Sequence, residues 1–149
     1  MNYAEIYNEE KKLILVRISG ELTKEALAPR ALETRLRAKE LGYRIVFNCL
    51  KAKYLLTPVD AFYWFSDYYD HIDPTLKFIP TAYVSCAKDL HAFKFLETTF
   101  QNKGANNCIF RTEEEAIDWL ESLKSYCPDA EFVKAWNRHR NNRREDIAV

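Results

Sequence analysis

An α/β fold with a mixed, mostly parallel sheet covered by helices is what this chain predicts, on three observations. Short β-favouring runs alternate with stretches of helical spacing, in the order β-β-α-β-α-β-α-β-α. Leu13, Ile14, Leu15 and Val16 are apolar at consecutive positions, as in a strand buried on both faces. Polar cap residues stand before the helical stretches, and Gly42 and Gly104 stand after two of them.

The order begins with Tyr3 to Tyr7 and Lys12 to Ile18, β-favouring runs around the polar tip Asn8-Glu9-Glu10-Lys11, which predict an opening hairpin. Gly20 is read as the end of the second strand. Thr23-Lys24-Glu25-Ala26 opens a helix whose apolar positions are Leu27, Ala31, Leu32, Leu36 and Leu41, with Gly42 as its stop. Pro29 is tolerated if that helix begins near Ala26. Ile45-Val46-Phe47 is the next strand, ending at Asn48 and Cys49, and a polar loop from Lys51 to Leu56 leads to a second helix. Pro80 to Cys86 is a strand, and Asp89 caps a helix carrying Leu90, Phe93, Phe95, Leu96 and Phe100. Asn107 to Phe110 is the last strand. Thr112 and Glu115 then form a capping box ahead of Ala116, Ile117, Trp119, Leu120 and Leu123.

The second helix has the best-marked start. Thr57 accepts from first-turn N–H groups, Pro58 suits the first helical position, and Asp60 favours the positive end of the helix dipole. After it, Phe62, Phe65, Tyr69 and Ile72 fall at spacings of three and four and are the expected core stripe. Tyr63, Trp64 and Tyr68 lie off that stripe among Asp60, Asp67, Asp70 and Asp73. Two readings stand for them: burial on a second side by the 76–79 loop, or a contact surface, since aromatics supply interface area at low entropic cost. On the second reading the partner-binding residues are Lys51, Lys53, Thr57, Tyr63, Trp64 and Tyr68, the lysines adding positive charge at the rim.

Composition narrows the function classes. At 149 residues and 48% hydrophobic, the chain can bury a real core. Lys+Arg and Asp+Glu are 22 each, so no global field argues for nucleic acid or membrane. The polar run Asn2 to Lys12 is no secretory leader, and no apolar run approaches a membrane span. Cys49, Cys86, Cys108 and Cys127 are dispersed without a CxxC pair, which fits free thiols in a reducing, cytoplasmic setting and gives no metal-ligand spacing. His71, His91 and His139 lack a recognisable nucleophile and carboxylate beside them, and no Gly-rich phosphate loop, HExxH or GxSxG occurs. No catalytic residue, metal or cofactor is assigned, and a non-enzymatic module is expected.

Phe95-x-Glu97, Asn102-x-Gly104, Phe110-x-Thr112 and Ala116-x-x-Trp119-Leu120, taken with the element order, resemble the STAS family, the sulphate transporter and anti-sigma factor antagonist domain. The nearer likeness is to its small stand-alone bacterial relatives, over residues 3 to 124. The resemblance implies a regulatory module that binds a protein partner through the loop and N-terminal part of the second helix, with self-association as a homodimer the other form of assembly. It also implies a phosphoacceptor at the start of that helix, which falls at Thr57, while the family's strand-end Asp falls at Asn48 and its Asp before the acceptor is replaced by Leu56. Residues 1–126 are therefore read as a STAS-like domain and 127–149 as a basic C-terminal extension, partly helical or disordered. Trp136 with Arg138, Arg140, Arg143 and Arg144 combines a stacking ring with phosphate-pairing charge, so nucleic-acid binding through that segment is the alternative function.

Overall fold

Lys12 adopts a positive φ of 53° and closes the turn between two strands, β1 (Asn2–Asn8) and β2 (Leu13–Leu22), which pair antiparallel from Asn8↔Leu13 to Asn2↔Ser19. This is the expected hairpin. The computed structural model describes residues 1–86 and 88–123. The elements that follow are α1 (Lys24–Leu41), β3 (Arg44–Tyr54), α2 (Pro58–Tyr68), a 3-10 turn at Leu76–Phe78, β4 (Thr81–Val84), α3 (Leu90–Asn102), β5 (Asn107–Phe110) and α4 (Glu113–Ser122). The sheet runs in the order β1-β2-β3-β4-β5, and every pair after the hairpin is parallel. The element order and the mostly parallel sheet are those the alternating pattern predicts.

Two strands outrun their predicted ends. Gly20 does not end β2; it lies within it at φ 84°, and the register with β3 shifts between Arg17 and Ser19. Glycine accepts that conformation without a Cβ penalty. Pairing then continues to Leu22↔Tyr54, so Lys51 to Tyr54, expected as loop, are strand. Within β3, only Ile45 to Asn48 pair with β4, and the paired ends of β2 and β3 extend past it as a two-stranded ribbon. The Tyr54 ring at the end of this ribbon rests on Phe93 of α3, with centroids 4.9 Å apart.

The sheet separates two apolar clusters. On one face Ile14, Val16, Ile45, Phe47 and Tyr83 meet residues of α1, α2 and α3; on the other Leu13, Leu15, Val46, Ala82 and Val84 meet Ala116 and Leu120 of α4. This two-sided cover explains the unbroken apolar run at the start of β2. α1 lies on the sheet through Ala28, Ala31, Thr34, Arg35 and Ala38, a stripe of mostly small side chains, while Leu36 and Leu41 are exposed. Of the apolar positions read as its core face, Ala31 is buried and Leu27 and Leu32 pack partly buried against the cluster, whereas Leu36 and Leu41 face outward and Ala28 and Ala38 take the inner places. α1 also starts at Lys24 rather than Ala26, capped by Thr23, and carries Pro29 in its interior. α3 buries Phe93, Leu96 and Phe100 but leaves Phe95 exposed, and Asp89, at its cap position as expected, makes no side-chain hydrogen bond to the first turn. Thr112 caps α4 by accepting from the Glu115 N–H.

Candidate functional site

Because β2 to β5 are parallel, the starts of α1, α2, α3 and α4 gather along one edge of the sheet. In open α/β sheets this edge is where ligands and partners are usually met. The α2 start is the most fixed of the four. The Thr57 Oγ1 accepts from the Asp60 N–H at 3.1 Å, and the Thr57 N–H donates to Asp60 Oδ2 at 2.9 Å, closing a reciprocal capping box. Lys24, at the start of α1, reaches Asp60 at 3.6 Å and ties the two helix starts together. The backbone N–H of Thr57 holds the Asp60 carboxyl below the usual carboxylate range, helped by the Thr57 hydroxyl and Lys24 against a smaller burial penalty.

A carboxyl with a depressed folded pKa contributes stability that is present above its unfolded pKa, near ~4, and lost as pH falls through the folded value. Urea unfolding should therefore separate wild type from Asp60→Asn at pH 6, with the gap closing towards pH 2. Thr57→Ala should cost about 1 kcal/mol in the same assay through loss of the cap.

On α2 the core stripe read from the sequence is rotated by one position. Ala61, Trp64, Phe65 and Tyr69 are buried, while Phe62 and Ile72, expected inside, are 49% and 50% exposed. Trp64 is only 4% exposed, so its ring does not belong to a contact surface. It stands edge-on to Tyr68 at 5.3 Å and to Tyr69 at 6.2 Å, inside the cluster shared with α1 and α3. Tyr68 is partly buried against that cluster. Tyr63 is 50% exposed, as a contact residue requires. α2 is apolar over most of its circumference, so spacing alone leaves several faces equally plausible; contact with helices on two sides selects the one containing Trp64. The helix also ends at Tyr68, which takes Ile72 off its surface altogether.

The outward face of α2 is instead Val59, Phe62 and Tyr63, at 65%, 49% and 50% exposure, joined at the helix start by the exposed Leu55. Phe62 and Tyr63 pack edge to face with centroids 4.9 Å apart, and Lys103 Nζ from the end of α3 sits 4.0 Å over the Phe62 ring. Thr57 is exposed at the head of this face. Scattered exposed apolar residues are ordinary, whereas here Val59, Phe62 and Tyr63 stand together at spacings of three and four on one helix face.

The predicted lysines lie elsewhere. Lys51 lines a cleft of about 490 Å³ on the α4 side of the sheet, with Asn2, Arg17, Ser19, Asn48 and Glu113. Lys53 is exposed and alternates with Ala52 and Tyr54, which pack into the cluster on the α2 side; strand alternation puts it on the α4 side as well. Neither lysine rims the α2 face. Asn48 accepts from the Leu50 N–H at 3.0 Å, and Arg17 pairs with Glu113 at 2.9 Å across the mouth of the cleft. Trp136, Arg138, Arg140, Arg143, Arg144 and Cys127 lie outside the described residues, as does the boundary at 126–127. Cys49 is buried, and burial pushes its thiol up to about 12; Cys86 and Cys108 are partly exposed. Among the described residues no helix is long and apolar enough to cross a membrane.

The architecture defines the class, an α/β domain with a five-stranded mixed sheet covered by helices on both faces. No family model matches the chain, and no curated protein matches it.

Proposed function

We propose that this chain is a non-enzymatic regulatory module, STAS-like in type, that docks a protein partner on the outward face of α2. The observation that carries the reading is the contiguous exposed face Val59, Phe62 and Tyr63, held rigidly by the Thr57–Asp60 capping box. Aromatic residues on a fixed helix make good anchors because few rotamers are lost on contact. Lys103, exposed beside Phe62, favours a partner whose apolar patch is bordered by acidic residues.

Thr57 is the point of control in this reading. A phosphate on its hydroxyl adds nearly two negative charges at the head of the face, next to the free N–H groups of the α2 start. It also displaces the Asp60 carboxylate from the cap by like-charge repulsion. Thr57→Glu is expected to alter partner affinity at least about tenfold, a change of about 1.4 kcal/mol, measurable by titration with the purified partner.

The direct test places a photo-crosslinking phenylalanine analogue at Tyr63 in the native cell. The expected result is one discrete protein adduct, absent when the same probe stands at Leu36 on the outer side of α1. Its mass separates a second copy of this chain from a different protein. Equal labelling from both positions would overturn the proposal.

A further inference from the structure

α4 covers only part of its side of the sheet. It packs over Leu13, Leu15, Val46, Ala82 and Val84, and past them β2 and β3 run on beyond β4, so this side of the ribbon borders the cleft of about 490 Å³. The register shift between these strands shapes its floor. Arg17 stands opposite Asn48 and Ser19 opposite Lys51, with Ile18 alone between the first pair and both Cys49 and Leu50 between the second. Cys49 turns into the cluster on the other face, and the extra residue leaves Asn48, Leu50 and Lys51 all lining the cleft.

The polar groups that meet there are mostly donors. Glu113 is the one carboxylate among the lining residues, and Arg17 already occupies it through Nε at 3.1 Å and Nη2 at 2.9 Å. That fork orients the guanidinium and leaves Nη1 over. Asn48 Oδ1 is taken by the Leu50 N–H, which leaves the Asn48 amide N–H groups to donate. Lys51 is exposed and belongs to none of the ion pairs among the described residues, which are Lys11–Glu121, Arg17–Glu113, Lys24–Asp60, Lys39–Asp73 and Lys94–Glu97. An edge lysine alone is ordinary and keeps strands from pairing. Here it shares a concave site with a second, pre-oriented cation, and the two face one committed carboxylate. The remaining wall is aliphatic, made by Leu50 at 41% exposure, by Ala4, and by the stems of the two cations. The volume falls in the range of roughly 300–1,000 Å³ usual for small-molecule sites, far more than a bare inorganic ion fills.

We propose that this cleft binds a small organic anion, a carboxylate or phosphate group on an apolar body, with the anionic oxygens at Lys51 and Arg17 Nη1 and the body against Ala4 and Leu50. The site lies on the face of the sheet opposite α2 and does not rest on the docking reading, so either can fail without the other.

Amide-resolved NMR of the full chain tests it, by titration with sodium octanoate, with octyl phosphate and with uncharged 1-octanol. The expected result is a set of saturable shifts clustered at 17–19 and 48–51 for at least one of the two anions, with 1-octanol binding at least about tenfold more weakly. A preference for either anion supports the site and names its headgroup. Lys51→Gln should weaken the better anion about tenfold, the loss of one charge-assisted contact. Ala4→Trp, which fills the floor, should remove binding. Both positions are exposed, and an unchanged unfolding midpoint checks that each variant folds. The absence of saturable shifts there with both anions, equal binding of 1-octanol, or a folded Lys51→Gln variant that binds like wild type would overturn the site.

Discussion

Trp64→Ala should destabilise the fold by about 3–5 kcal/mol in urea unfolding, the cost of emptying a large aromatic from a packed core. The ring is 4% exposed and is wedged between Tyr68, Tyr69 and the residues of the shared cluster. Truncation leaves a void that the neighbouring rings cannot fill, because Phe65, Tyr69, Phe100 and Tyr83 are already engaged with one another at centroid separations between 4.7 and 6.4 Å. The same truncation at Phe62 or Tyr63 should cost only about 1 kcal/mol, since half of each side chain already faces solvent and the losses are the edge contact between the two rings and, for Phe62, the exposed contact with Lys103. The contrast matters for function. A Trp64 variant that lost partner binding would have lost its fold first, whereas Phe62 and Tyr63 report on docking alone.

Phe62→Ser combined with Tyr63→Ser should weaken the partner by at least about 100-fold while leaving the thermal midpoint within a few degrees of wild type. Interface affinity concentrates in a few aromatic anchors near the centre of the contact, each worth about 2 kcal/mol or more on truncation. Neighbouring anchors share the same desolvated patch, so their losses need not add, and the expected loss is set by one full hot spot plus part of a second. Ile72 is the internal control: it is equally exposed but lies beyond the end of α2, so Ile72→Ser should leave affinity unchanged.

The element order was legible because its signals are local. Thr23, Thr57 and Thr112 all cap the helices they precede, and the consecutive apolar run Leu13 to Val16 marks a strand with apolar clusters on both sides. Strand ends were less legible. The polar residues Lys51 and Lys53 suggested a loop, but a partner strand on one side is enough to keep β3 extended to Tyr54. Helix faces were the least legible, for opposite reasons in α1 and α2. On α1 the sheet selects small residues over leucines, and that choice depends on the distance between the packed elements. On α2 rings surround most of the helix, and only the positions of α1 and α3 decide that Trp64 goes in and Phe62 stays out.

Arg35 gave no such signal. It sits seven residues after Ala28 and four after Ala31, on the stripe that becomes the buried face, but an arginine in a helix rich in charge reads as solvated. Recognising the alanine stripe as the face against the sheet would have placed it inside. The exposed α2 face, by contrast, was half visible: the Thr57 cap was read from the pattern as a fixed start, exposure of Tyr63 was one of two readings, and Phe62 was assigned to the interior.

Calorimetric titration of the protein captured at Tyr63, against the wild type and against the Phe62→Ser/Tyr63→Ser variant, bears most directly on the docking face. Saturable binding to wild type with a loss of at least about 100-fold in the folded variant is the expected result. Undiminished affinity in that variant, with its unfolding midpoint intact, would contradict a partner site on α2.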